Sequence, residues 1–219
     1  MIISTGITEI GNYAFSECNN LKEVVIPDSV TKIATRAFSD SEGLMSILVS
    51  EDNAMFSQVE GVLFNKDKTI LVTYPAGAEK SVYTVPDTVV EIGPCAFWNS
   101  QNLQAIVFPD TLEVIRESAF QNCKQITSVE IPSSVKSIEG QAFCNCEKLS
   151  SVKFLGTTTL FGENNDDGYV YNKEDSEGFG VDDKRDRTFL DTDNLTMYAG
   201  KGSNVEKYAK RNGFNFSEI

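Results

Sequence analysis

Glu163, Asn165, Asp167, Gly168, Val170 and Glu174 fall at positions one, three, five, six, eight and twelve of a calcium-loop pattern. That spacing sets oxygen ligands around a hard cation and places a glycine at the sharp turn. Two features oppose calcium binding. The first position carries glutamate where aspartate is expected, and the preceding VKFLGTTTLF reads as strand rather than helix. Millimolar calcium is therefore expected to leave the melting temperature unchanged; a clear rise that Glu174→Gln abolishes would establish the site. The bland reading of this acidic, glycine-rich stretch is a solvated loop, and no cofactor is expected.

Thiol chemistry is the other candidate. Five cysteines are present, none in a C-x-x-C pair, and the chain has no histidine. Ser-His-Asp, Cys-His and His-ligated zinc sites are thereby excluded. A catalytic cysteine would lack its usual base. Cys18, Cys123 and Cys146 each lie three residues after a phenylalanine, where two related segments carry Ser41 and Ser100. Small, weakly polar side chains at one recurring position suit an internal ladder better than a reaction centre.

The elements that hold these residues are repeats. Ala-Phe recurs with phenylalanines at Phe15, Phe38, Phe97, Phe120 and Phe143, at intervals of 23, 59, 23 and 23 residues. The long interval contains an insertion, placed at residues 50–85. Isoleucine stands four residues before each alanine, at Ile10, Ile33, Ile92, Ile115 and Ile138, and an aliphatic residue three before that. An L-x-x-L-x-L block follows every phenylalanine: Leu21-Val24-Ile26, Leu44-Ile47-Val49, Leu103-Ile106-Phe108, Ile126-Val129-Ile131 and Leu149-Val152-Phe154. Its last residues alternate as a half-buried strand, and Pro27, Pro109 and Pro132 end it. The returning V-x-x-I-x-x-x-A-F spacing predicts a helical or 3₁₀ turn. One such unit cannot bury its apolar side, but stacked units make a continuous core with parallel strands. The five phenylalanines are expected in one buried column, with Phe56 and Phe64 of the insertion mattering less. Cys123 and Cys146 fall on adjacent rungs about 5 Å apart, which leaves a disulfide geometrically open.

IPDSVTKIATRAF, FPDTLEVIRESAFQNC and IPSSVKSIEGQAFCNC resemble the BspA-like leucine-rich repeat family of bacterial surface proteins. The resemblance covers residues 7–155. It implies a leucine-rich-repeat right-handed β/α superhelix with a parallel sheet on its concave face, five repeats within residues 1–155. The insertion resembles one that often interrupts such arrays and reads as a β-hairpin, Val62 to Phe64 and Ile70 to Tyr74 around a KDKT turn. After Phe154 the pattern stops, leaving an acidic loop and a C-terminal cap over residues 156–219. There Ser203 and Glu206 form a capping box for a helix near Asn204 to Asn212, stopped by Gly213.

The function implied by the resemblance is adhesion or recognition at the cell exterior, of a protein or glycan, without catalysis. Composition agrees. A net charge of −13 repels nucleic acid and anionic lipid, and no apolar run is long enough to span a bilayer. The chain starts inside a repeat, so a longer protein is expected before Met1 and the missing leader says nothing about location. The site is placed on the outward strand position between the two buried aliphatics: Val25, Leu48, Val107, Glu130 and Lys153. A monomer is expected, with edge-mediated pairing in a crystal as the exception. The competing reading is a structural spacer that presents a separate catalytic or anchoring domain; an enzyme ranks third.

Overall fold

A computed structural model describes residues 1–162, 188–192 and 194–219. The strands in chain order are β1 (Glu9–Ile10), β2 (Glu23–Ile26), β3 (Lys32–Ile33), β4 (Ser46–Val49), β5 (Phe56–Val59), β6 (Val62–Asn65) and β7 (Ile70–Thr73). There follow β8 (Val82–Thr84), β9 (Glu91–Ile92), β10 (Ala105–Val107), β11 (Val114–Ile115), β12 (Ser128–Ile131), β13 (Ser137–Ile138), β14 (Ser151–Phe154), β15 (Leu160–Phe161), β16 (Thr196–Ala199), helix α1 (Asn204–Asn212) and β17 (Asn215–Glu218). A regular coil contributes one strand to a front ladder and a two-residue strand to a return ladder, where the four-residue β7 of the insertion also takes a place. The front ladder comprises the parallel groups β2–β4, β8–β10 and β12–β14–β16–β17. The return ladder joins β1 to β3, then runs β7–β9–β11–β13–β15. The three-and-four spacing of the return segment is thus met by a short strand and turns, not by helix.

The Ala-Phe turns at Phe15, Phe97, Phe120 and Phe143 are built alike. The phenylalanine amide donates to the carbonyl before the next ring: Phe15 to Ala37 at 2.8 Å, Phe97 to Ala119 and Phe120 to Ala142 at 2.7 Å. Two residues after the ring the backbone turns left-handed, at Glu17, Asp40, Asn99, Asn122, Asn145 and Asp191, with φ between 56° and 63°. Asparagine and aspartate tolerate that conformation best, which explains their dominance there. The third residue forms the expected polar ladder. Ser41 Oγ donates to the Phe15 carbonyl, Cys123 Sγ to Phe97 at 3.0 Å and Cys146 Sγ to Phe120 at 3.2 Å.

The ring column differs from expectation in two ways. It is broken near the insertion: Phe15 stacks on Phe38 at 5.4 Å, and a second stack runs Tyr74–Phe97–Phe120–Phe143–Phe189 at 4.7–5.2 Å. The buried core divides accordingly into an N-terminal cluster from Ile3 to Leu63 and a larger one from Val62 to Ala209. Tyr74 heads the second stack because the insertion supplies a return strand. β7 pairs with β9, and the Tyr74 amide takes the ring position by donating to Ala96 at 2.7 Å.

The insertion carries the expected hairpin, β6 against β7, and one further antiparallel strand, β5. Phe64 is fully buried in the larger cluster, contrary to its expected minor role, whereas Phe56 is half-buried. The buried Asn53 amide pins the start of the excursion to the solenoid, donating to the carbonyls of Pro27 at 2.7 Å and Val30 at 2.9 Å.

Coil geometry also continues past Phe154, where the sequence pattern stops. Phe161 pairs in register with Ile138. Thr188 and Phe189 then stand in for Ala-Phe: the Phe143 amide donates to Thr188 at 2.8 Å and the Phe189 ring stacks on Phe143 at 5.2 Å. Helix α1 closes the end as predicted. Ser203 Oγ accepts from the Glu206 amide at 3.1 Å, Gly213 is left-handed at φ 79°, and Val205, Tyr208 and Ala209 face inward. β17 continues the front ladder beyond it.

Candidate functional site

Pro27, Pro109 and Pro132 end the front strands after four or fewer residues, so each strand offers one outward side chain between two inward aliphatics. Strand pairing defines the resulting row. Ile2 bridges to Val25, and Val25 pairs with Leu48. Val107 pairs with Thr84, Glu130 with Lys153, Lys153 with Tyr198, and Tyr198 with Ser217. Thr84, Tyr198 and Ser217 therefore share the row although none was anticipated. Their strands lack the L-x-x-L-x-L signature, and only register places them.

The row is not one apolar stripe. Val25 and Leu48 are half-buried, whereas Val107 is 50% exposed. Glu130 and Lys153 are exposed and form an ion pair of 2.7 Å. Such a surface pair is worth at most about 1 kcal/mol, and the return ladder carries inter-coil ion pairs of its own, as in Glu91–Arg116–Glu139 with 2.8 and 2.6 Å contacts. The turn between β5 and β6 splits the row. Ile47 of β4 gives its amide to Gly61 at 2.8 Å, so β4 and β8 do not pair. Gly61, left-handed at φ 80°, lies so close to Ser46 that an added Cβ would sit 2.7 Å from its hydroxyl.

A pocket of about 290 Å³ opens at this split. Val62, Tyr74, Pro75 and Tyr83 line it as buried residues, and Met45, Glu60, Glu79 and Lys80 as exposed ones. Burial pushes the Tyr74 phenol up to about 12 and raises that of Tyr83 as well. The Tyr74 hydroxyl is buried without a hydrogen-bond partner among the described residues. Lys80 pairs with Glu60 and holds that carboxyl below its usual range. Beside the pocket, Val82 is 53% exposed.

The thiols are not poised for chemistry. Burial lifts Cys123 to about 12 and Cys146 well above a normal thiol, while Cys95 is raised despite its contact with Arg36. None of the five cysteines is in a disulfide, and only Cys18 is partly exposed. A thiol-specific colorimetric reagent at pH 8 should titrate Cys18 promptly in the native protein and the remaining four only after denaturation. Rapid native reaction of Cys123 or Cys146 would contradict the buried ladder. Among the described residues no group of three or more His, Cys, Asp or Glu is arranged to hold a metal. Glu163, Asn165, Asp167 and Glu174 lie outside the described residues.

A family model for the BspA type leucine-rich repeat region matches in six copies, over residues 1–71 and 78–165. The chain belongs to the BspA-type leucine-rich repeat family. The leucine-rich repeat protein of Eubacterium ventriosum ATCC 27560 is 27% identical over 73% of this chain and 55% of its own, with a TM-score of 0.57. The pneumococcal vaccine antigen PcpA shares the fold at 21% identity and TM-score 0.63, across 100% of this chain and 67% of its own. A leucine-rich cell surface protein of Faecalibacterium prausnitzii A2-165 does so at 24% identity and TM-score 0.52, over 69% of this chain and 52% of its own. The chain thus spans little more than half the length of the first and third of these leucine-rich repeat proteins. No protein in a curated collection matches it significantly.

Proposed function

We propose that this chain is a non-catalytic binding module of a bacterial cell-surface or secreted protein, recognising an extracellular protein or glycan through its front strand face as a monomer. The observation that carries this reading is the outward row itself. Val107, Glu130 and Lys153 are exposed and contribute nothing to the core, so their identities are free to serve a ligand. Exposed apolar side chains on β8 and β10, Val82 and Val107, mark where contact is best desolvated. The family's surface members support an exterior location.

The test is a screen of the purified protein against matrix proteins and glycans, followed by Val107→Asp combined with Lys153→Glu. Neither change removes a core atom, so the circular dichroism spectrum and melting temperature should stay close to the parent. Binding of any ligand found should weaken by about tenfold or more, as expected when an interface loses a central contact. Leu48→Asp is less suitable, because Leu48 is half-buried. Undiminished binding by the folded double variant would move the site off this face, and no ligand at all would favour the spacer.

A further inference from the structure

Among the described residues β8 has one partner strand, β10. Its hydrogen bonds to β10 fix which groups face that way: Ala105 donates to the Ser81 carbonyl at 3.1 Å, and Val85 donates to Val107 at 3.0 Å. In a parallel strand alternate residues direct both backbone groups to opposite edges. The amides and carbonyls of Val82 and Thr84 therefore face the other edge, toward β4. There β4 does not pair with β8, and its Ile47 amide is already given to Gly61. An exposed edge of this kind is a template for another strand.

The pocket opens at that same edge, and its chemistry limits what the added strand carries. About 290 Å³, floored by Val62, Tyr74 and Tyr83, accommodates one large apolar side chain. The partnerless Tyr74 hydroxyl lies in the pocket lining. At the rim Lys80 is occupied by Glu60, whereas Glu79 has no basic partner among the described residues. With a net charge of −13 behind it, this rim favours a cation.

Resting on the binding-module reading, we infer that β8 and the Tyr74–Tyr83 pocket form a docking site for an extended peptide, added as a strand to the open edge of β8 with one aromatic or large aliphatic side chain in the pocket and a basic residue beside Glu79. Main-chain bonds to Val82 and Thr84 supply affinity, and the pocket supplies selectivity for the anchor.

The probe is acetyl-Lys-Val-Phe-Val-Lys-amide, titrated into isotope-labelled protein and followed by amide chemical shifts. Saturable shifts are expected at Val82, Thr84, Tyr74 and Glu79. N-methylation of the two peptide amides flanking the phenylalanine, which leaves the protein untouched, should weaken binding about tenfold, the effect of losing one or two hydrogen bonds. Val82→Pro should do likewise, since proline is tolerated where an edge strand's N–H faces away from its partner. Met45→Trp, which fills the pocket, should abolish binding, and Glu79→Lys should weaken it. No saturable shift up to several millimolar overturns the inference. Equal affinity for the N-methylated peptide also does, because the pocket would then take a side chain without a strand. A glycan or protein ligand sensitive to Val107→Asp but indifferent to this peptide would overturn the docking site while leaving the binding-module reading intact.

Discussion

Phe120→Ala should lower the free energy of unfolding by about 3–5 kcal/mol, read as a fall in the denaturant midpoint. Its ring is fully buried, stacked between Phe97 at 4.7 Å and Phe143 at 5.0 Å, with Phe108 edge-on at 5.8 Å. Truncation removes contacts on three sides, and the flanking rings cannot close the gap because their backbones are locked in the amide ladder. Phe15→Ala is the internal comparison. That ring is half-buried and stacks on one side only, so its loss should cost less than half as much. Equal midpoints for Phe120→Ala and the parent would mean that the column is not the main source of stability.

Gly43→Ala should be almost as damaging, at about 3 kcal/mol, the upper end of overpacking costs. A Cβ at residue 43 would collide with the carbonyl oxygen of Asn19 and lie 2.6 Å from its carbon. Both atoms are backbone of the preceding coil, so relief requires separating two rungs. The same repeat position carries Asn102, Gln125 and Lys148 in later coils, where side chains fit. The difference is local: the Gly77 amide bonds to Leu44 at 2.8 Å and clamps this turn from the far side. Gly140→Ala is the control, with nothing within 4 Å of its added Cβ and no positive φ. It should be neutral or slightly stabilising, by less than about 1 kcal/mol. A soluble Gly43→Ala protein as stable as Gly140→Ala would refute the close approach.

The repeat was legible because its determinants are periodic. Ile10, Val24, Ile26 and their counterparts recur at fixed intervals, and the small residue after each ring explains itself once coils stack. The capping helix was equally legible, since Ser203, Glu206 and Gly213 act within one local segment. Two things were hidden. Tyr74 and Phe189 replace the repeat phenylalanine behind an excursion and an acidic stretch, so spacing alone misses them. The residues around Phe189 nevertheless carried a signal: in Thr-Phe-Leu-Asp-Thr, Asp191 takes the left-handed position held elsewhere by glutamate, aspartate or asparagine, and Thr192 the small-residue position held by serine or cysteine. The candidate site was legible as a set of outward positions but not as a surface. Whether Leu48 adjoins Val107 depends on how the β5–β6 turn inserts, which is a long-range contact with no periodic trace.

The division of the core bears on how the molecule comes apart. Among the described residues no ring stack joins Phe38 to Tyr74, and the seam is crossed by Leu63 and Val72, which pack on the N-terminal cluster, and by polar contacts such as the Trp98 indole N–H to Asp40 at 2.8 Å. Stacked coils cooperate only through their neighbours, so a weak junction divides the chain into two cooperative units. Amide protons of β2 and β4 should then exchange with solvent through an opening of lower free energy than those of β12 and β14, which share the larger cluster. The N-terminal coils would fray as a block while the rest of the solenoid stays folded.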